Sequence, residues 1–484
     1  MKVLIANSYF YKLDAKQWRF KKPYPPLGTL LAAAVIRDQS HEVVFFDTHF
    51  CDHPGEIIPV IEENKPDILV LYDDGFNYLT KMCLTVMRDA AFQMIRSGKK
   101  AACTVVVASS DSADHYEKYF EQGADVVVRG EGEETLKELL PALTQNNDLR
   151  QIHGIAFRSG DESIITPKRP VLRDLDALPL PAWDLINLNP YKSLWRRYHG
   201  YFSLNLATTR GCPYKCNWCA KPIYGNRYNT RSPERVTDEI EYLLSHHGPE
   251  HFWICDDIFG LKPGWVKKFN AEIKKRNLKF RFSIQSRVDL LLEPETVLSL
   301  KEAGAETIWV GAESGSQKIL DAMDKGTTVI QIQEATRLLK DSGIRAAFFL
   351  QFGYPGEMKE DIEQTLKMVL QLMPDEIGIS VSYPLPGTSF YDSVKTQLKE
   401  KQNWIDSDDL ALMYTGQYPP SYYKVLQRYI HGRYRIQRGA NRLKELIRRP
   451  KFFRGDLRKI VSMVYHTPVT WFHSFRLKRL SVWP

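Results

Sequence analysis

Five stretches within the first 130 residues, KVLIAN, EVVFFD, DILVLY, CTVVVAS and DVVVRG, are apolar at nearly every position rather than at every second one. A strand with no polar face has to be covered on both sides, which directs the chain to a parallel sheet layered between helices. The covering segments lie between the strands: LGTLLAAAVIRD, LTKMCLTVMRDAAFQMIRSG and EETLKELLPAL repeat apolar residues at helical spacing. Residues 1–145 are therefore expected to form a five-stranded, doubly wound, flavodoxin-like α/β domain, with its ligand crevice at the carboxyl ends of the strands.

Residues 146–200 lose this rhythm. HGIAFRSGDESIITP reads as a hairpin and LRDLDALPLPAWDLI as a proline-punctuated connector, so the segment is expected to be a linker. A second βα series follows over 201–395, with strands at SLNLATT, HFWICD, RFSIQSR, TIWVGAE, RAAFFLQFG and IGISVSY. In RSPERVTDEIEYLLSHHG, Ser232 is placed as N-cap, Pro233 as first helical residue and Gly248 near the stop; PETVLSLKEAG ends at Gly304. Six βα units make an incomplete (β/α)6 barrel, whose chemistry belongs at the C-terminal ends of its strands. Residues 396–484 read as a helical, aromatic and basic extension.

A chain of 484 residues is long for one core, and 43% hydrophobic with 26% charged residues is globular composition. No segment has the roughly 18 consecutive apolar residues of a membrane-spanning helix. MKVLIANSYF leads directly into an apolar run with no small-residue cleavage site behind it, so a cytoplasmic protein is expected. Seven cysteines are too few for a disulfide framework, and three of them fall within eight residues, which points to ligand or redox chemistry. The formal charge of +8 is uneven: residues 421–484 hold sixteen Lys and Arg against Glu445 and Asp456, leaving the rest of the chain mildly acidic.

The three clustered cysteines, Cys212, Cys216 and Cys219, stand in ATTRGCPYKCNWCAKPIYG, directly after the first strand of the second series. Three thiolates can hold three corners of a [4Fe-4S] cluster and leave the fourth iron open, whereas electron-carrying clusters usually take four. A closed zinc site needs a fourth ligand. No His or further Cys lies between 220 and 243, and Cys255, at a strand end, reads as a small buried apolar residue.

This C-x3-C-x2-C loop, with Trp218 before the last cysteine, resembles that of the radical S-adenosylmethionine superfamily. The resemblance implies that the open iron chelates S-adenosylmethionine and that one electron splits it to a 5′-deoxyadenosyl radical, which takes hydrogen from an unactivated carbon. It also implies roles at other strand ends. Glu313, with Gly311 in GAESGS, would contact S-adenosylmethionine; Ser286 and Arg287 end the third strand, and the Arg would pair with the methionine carboxylate. FGYPGE and SYPLPGT would line the adenine or substrate side. Asp256 and Asp257 in ICDDIFG carry two readings, positioning of a ligand or capping of the next helix.

The N-terminal domain, through PYPPLGTLLAAAVIRDQSHEVVFFD and VVVRGEGEETLKELL, resembles the cobalamin-binding domain of cobalamin-dependent radical S-adenosylmethionine enzymes. That implies cobalamin flanked by the loops 73–78, 109–115 and 129–134, with Asp74, Ser109 and Gly130 as contacts and Gly132 beside them. The D-x-H-x-x-G motif that ligates cobalt from below is missing after the first strand; DTHFCD, with Asp47 and His49, is a near miss with Asp52 for Gly. A cobalt without a histidine ligand is expected, His49 being by default a solvent-facing loop residue. ATTRGCPYKCNWCAKPIYGNRYN, DDIFGLKPGW and GAESGSQKILDAMDKGTT together resemble the subgroup containing anaerobic magnesium-protoporphyrin IX monomethyl ester cyclase.

The expected activity is methylation or oxidative cyclisation of a small hydrophobic, tetrapyrrole- or lipid-like metabolite, with ferredoxin or flavodoxin as electron donor. Two alternatives compete. A tRNA methylthiotransferase would carry a second cysteine cluster, for which Cys51, Cys83 and Cys103 are too dispersed, and a β-barrel RNA domain after the radical domain. An electron-transfer protein would hold the cluster without cleaving S-adenosylmethionine. The basic tail admits three readings: a helical cap on the barrel, a peripheral membrane contact through aromatic and cationic residues, or an RNA phosphate track. Nucleic acid is not expected among the partners.

Overall fold

The computed structural model describes residues 1–82, 84–219, 221, 223–398, 403–448 and 455–481. They divide into two units: Met1–Pro213 with Ala220–Ile284 and Asn403–Asp409, and Tyr214–Cys219 with Gln285–Gln402 and Leu410–Pro484.

In the first unit, β1 (Lys2–Ala6), β2 (Glu42–Phe46), β3 (Ile68–Tyr72), β4 (Thr104–Ala108) and β5 (Val126–Val128) are parallel in the order β2-β1-β3-β4-β5, which is the flavodoxin-like order. The helix Leu27–Asp38 is buried along most of its length, as expected of a helix apolar on every side. Its Ala32, Ala33 and Ile36 share a core with Val3, Val70, Val106 and Leu136. The stretch read as one helix over 79–98 is two, Tyr78–Met82 and Thr85–Lys100, because Leu84 is extended.

The sheet has seven strands rather than five. The hairpin of β6 (Ile155–Ser159) and β7 (Glu162–Ile165), expected within a linker, pairs antiparallel onto β5, Val126 opposite Phe157 and Val128 opposite Ile155. Without it β5, buried at all three positions, would be an open edge.

The second series begins in the same unit with β8 (Ser203–Leu206), followed by the two-residue strands β9 (Thr209–Arg210) and β10 (Asn229–Thr230), then β11 (His251–Ile254) and the first four residues of β12 (Arg281–Ser286). β8, β11 and β12 run parallel. The helix Pro233–His246 opens where expected: the Ser232 hydroxyl accepts from the Arg235 amide at 3.1 Å.

The second unit holds β13 (Ala305–Glu313), β14 (Arg345–Phe352) and β15 (Glu376–Val381), again parallel. Its C-terminal part is helical among the described residues, with one helix at Pro420–Arg448 and a second at Asp456–Leu480. The first docks on the unit's core through Tyr422, Val425, Leu426 and Ile430, and the Tyr434 hydroxyl donates to the Pro374 and Asp375 carbonyls at 2.6 and 2.9 Å.

Candidate functional site

The cysteine loop leaves β8 and is gripped at its base, where Arg210 pairs with Asn229 and Thr209 with Thr230. Gly211 has φ +77°, and a Cβ there would run into the Arg227 carbonyl, so glycine alone closes this base. Asp256, at the end of β11, accepts from the amides of Thr208 and Thr209 at 2.6 and 3.0 Å. It is not the cap of the next helix, whose N-cap is Gly264, but braces the strand end that launches the loop. Burial pushes its carboxyl up to about 6. Asp257 pairs with Lys81.

Arg210, two residues before the first cysteine, is fully enclosed. Its guanidinium meets Glu131 at 3.0 Å and Glu133 at 2.6 Å and lies 5.6 and 5.2 Å from the ring centres of Phe76 and Tyr224. Burial works against its charge, yet Glu133 above all holds the pKa above the ordinary value. The RGEGEE segment thus holds Arg210 at the base of the cysteine loop.

Cys212, Cys216 and Cys219 are half-buried, in contrast to the buried Cys51, Cys103 and Cys255; Cys83 lies outside the described residues. Among the described residues, no three His, Cys, Asp or Glu side chains already converge as a single metal ion requires. Between the second and third cysteines Asn217 pins the loop. Its amide N–H donates to the Met323 carbonyl at 3.1 Å and its side-chain nitrogen to Ala322 at 2.6 Å, while its side-chain oxygen accepts from Tyr354 at 2.9 Å. Trp218 Nε1 is buried with no hydrogen-bond partner.

Beside Cys216 runs a row of buried charges. Arg287, at the end of β12, stacks its guanidinium 3.6 Å over the Tyr214 ring, pairs with Asp289 at 3.0 Å and donates to the Lys325 carbonyl at 3.0 Å. The Lys325 ammonium meets Glu313 at 2.9 Å, with both side chains under 10% exposed. Burial works to lower Lys325, but Glu313 and then Cys216 outweigh it, so the ammonium is held charged. Arg287 is raised in the same way against burial, by Asp289, Tyr214 and Cys216.

Glu313 itself adopts φ +54°, uncommon for a residue with a side chain, where β13 shifts register between Gly311 and Glu313. A Cβ at Gly311 would lie 2.6 Å from both Glu313 Oε1 and Lys325 Nζ. Glycine at this position makes room for the ion pair. Ser286 is buried beside Arg287 at the strand end. Lys325 and Asn217 are not among the expected site residues, although both lie in stretches that carry the resemblance, GAESGSQKILDAMDKGTT and the cysteine loop.

In the N-terminal sheet, Asp74 accepts from the Gly28 and Phe76 amides at 3.0 Å each and is buried. Ser109 caps a short helix, accepting from the Ser112 amide at 2.9 Å. Gly130, at φ +105°, faces open space where a Cβ would stand, whereas a Cβ at Gly132 would strike the Tyr72 ring. The expectation of a solvent-facing His49 is corrected. It is 3% exposed, set among the rings of Tyr9, Tyr11 and Tyr191 and 3.3 Å from Asp47.

After β14, Glu357 accepts from the Gly353 amide at 2.6 Å, and its second oxygen is buried without a partner. Burial pushes its carboxyl up to about 8. Between about pH 4.5 and 8 the unfolded chain ionises this group while the folded one keeps its proton. Stability from Glu357 is thus complete below that window and lost as pH rises through it. Glu357→Gln is expected to flatten the fall in thermal midpoint from pH 5 to 8.5, a span worth on the order of 4 kcal/mol; parallel slopes in calorimetry would disprove the assignment.

Three thiols on one loop, fixed cations beside Cys216 and an unpartnered indole N–H fit an iron–sulfur cluster with a polar ligand next to it. Residues 206–369, about a third of the chain, match the Radical SAM superfamily, so the chain carries a radical SAM domain.

An uncharacterized methyltransferase of Pyrococcus horikoshii is 29% identical over 78% of this chain and 81% of its own length. The anaerobic magnesium-protoporphyrin IX monomethyl ester cyclase of Cereibacter sphaeroides is 33% identical over 57% of this chain and 45% of its own length, so the chain spans under half of that protein. The fold is shared with OxsB, a cobalamin-dependent S-adenosylmethionine radical enzyme solved with aqua-cobalamin and S-adenosylmethionine. The TM-score is 0.72 at 20% identity, over 97% of this chain and 72% of OxsB.

Proposed function

We propose that this chain is a cobalamin-dependent radical S-adenosylmethionine enzyme of the cytoplasm that methylates, or oxidatively cyclises, a small hydrophobic tetrapyrrole- or lipid-like metabolite. The observation that carries the reading is the buried row Arg287–Lys325–Glu313 beside Cys216. Similarity to proteins named as methyltransferase and cyclase supports the choice of reactions.

When bound, a [4Fe-4S] cluster with S-adenosylmethionine supplies a 5′-deoxyadenosyl radical, and cobalamin supplies a transferable methyl group. Cys212, Cys216 and Cys219 would hold the cluster. Arg287 and Lys325 place two fixed positive charges beside Cys216. Arg287, its fork fixed by Asp289 and Tyr214, presents a cation suited to a carboxylate, and Glu313 an acceptor suited to an ammonium or hydroxyl. In the N-terminal sheet the open space at Gly130 suits the approach of a corrin. His49, enclosed by tyrosines, is not presented as a cobalt ligand, which supports cobalamin without a protein histidine below it. Electrons would come from a ferredoxin or flavodoxin.

The helices at Pro420–Arg448 and Asp456–Leu480 occupy the tail where a methylthiotransferase would place a β-barrel RNA domain. The test is an anaerobic assay of reconstituted protein with S-adenosylmethionine, reductant, cobalamin and a lipid-and-pigment extract of the host. Equal 5′-deoxyadenosine and S-adenosylhomocysteine would mean methylation; 5′-deoxyadenosine alone would mean cyclisation or another oxidation. Both should vanish, with the cluster absorbance, in Cys216→Ala. Neither product from protein with an intact cluster would overturn the proposal.

A further inference from the structure

The helix Asp456–Leu480 has two apolar faces, and only one is covered. Thr470, His473 and Leu477 are buried on the inner face. At 100° per residue their directions lie opposite a second set: Val461, Val464, Tyr465, Trp471, Phe472 and Phe475, each between 53% and 75% exposed. The six exposed side chains fall within a stripe about 120° wide and about 20 Å long. Large apolar residues scattered singly on a surface need no explanation; a continuous stripe that includes four aromatics does.

Charge is arranged around the stripe rather than within it. No Asp, Glu, Lys or Arg occurs from 460 to 475. Exposed Arg458 precedes this interval and exposed Arg476, Lys478 and Arg479 follow it. The two acids of the tail, Glu445 and Asp456, both pair with Arg442, at 2.8 and 2.6 Å. The surface thus presents an uncharged, aromatic-rich strip bordered by cations, in a segment of strongly positive net charge.

We infer that this helix lies flat on an anionic bilayer surface, its stripe sunk to the level of the headgroups and its flanking Arg and Lys on lipid phosphates. Charge complementarity selects this occupant. A second copy would bring an equally positive face against the first. An RNA strand would call for cations interleaved among the aromatics, and the interval from 460 to 475 has none. Among the described residues no helix is long and apolar enough to cross a membrane, so the contact is peripheral. The inference goes beyond the proposed reaction and stands or falls without it.

The test is flotation of the full-length protein with vesicles of phosphatidylcholine alone and of phosphatidylcholine with phosphatidylglycerol. The protein should float with the mixed vesicles and far less with the neutral ones. The Trp471→Glu/Phe475→Glu variant should lose at least about tenfold in partitioning with its thermal midpoint unchanged, because both side chains point to solvent. Arg476→Gln/Lys478→Gln/Arg479→Gln, which leaves the stripe intact, should lose partitioning severalfold. Absence of wild-type flotation, or equal flotation of wild type and the Glu variant, would overturn the inference. So would a dimer, or RNA binding, that the Glu variant abolishes while neither protein floats; the first would give the stripe to a second copy and the second to nucleic acid.

Discussion

Replacing Arg210 by alanine is expected to cost on the order of 3–5 kcal/mol of stability, the loss seen when one partner of a buried ion pair is removed. The reason lies in what remains. Glu131 and Glu133 would be left enclosed, 8% and 3% exposed, facing a cavity between the Phe76 and Tyr224 rings. A thermal melt of the apoprotein reads the effect without any cofactor. Adding Glu131→Gln and Glu133→Gln should recover much of the loss, since neutral amides need no counter-charge. Arg210→Lys should recover little, because one ammonium cannot span both carboxylates as the planar fork does. A melt of Arg210→Ala within about 0.5 kcal/mol of wild type would show that the enclosed triad contributes nothing.

Lys325→Met is expected to lower S-adenosylmethionine cleavage by about 100-fold while the cluster still loads, the scale associated with losing one preorganised charge at a reacting centre. The ammonium is fixed between Glu313 and Cys216, so no rearrangement is needed for it to act. Two readouts separate this role from simple support of the fold. The Lys325→Met/Glu313→Gln double variant removes both charges and should regain stability but not rate, and Lys325→Met should move the reduction potential of the loaded cluster. Wild-type cleavage by Lys325→Met would remove the residue from the site.

The sequence made the strands legible because a parallel strand buried on both faces advertises itself over five or six residues. The helix Leu27–Asp38 was readable to its ends for the same reason: its whole circumference is apolar. What escaped depended on partners distant in the chain. The hairpin at 155–165 is locally recognisable, but nothing local says that it will cover β5. His49 sits on a loop rich in polar residues and is buried among Tyr9, Tyr11 and Tyr191, the last 142 positions away. Arg210 and its carboxylates are 77 and 79 residues apart. At the site, the cysteine spacing announced its chemistry, whereas Lys325 needed the fold of β13 to bring Glu313 to it.

The two C-terminal helices meet at two notches. A Cβ on Gly432 would collide with Thr470, and one on Gly439 with Met463. The notches are seven residues apart on both helices, so they act like the teeth of a gear, indexing the rotation of the last helix in steps rather than letting it turn freely. One residue inserted between Met463 and Thr470 would break that index and rotate everything beyond it by about 100°. Trp471 and Phe475 would turn away from their present direction and part of the basic border would take their place. Orientation of the outer surface is therefore stored in two glycines that never touch it.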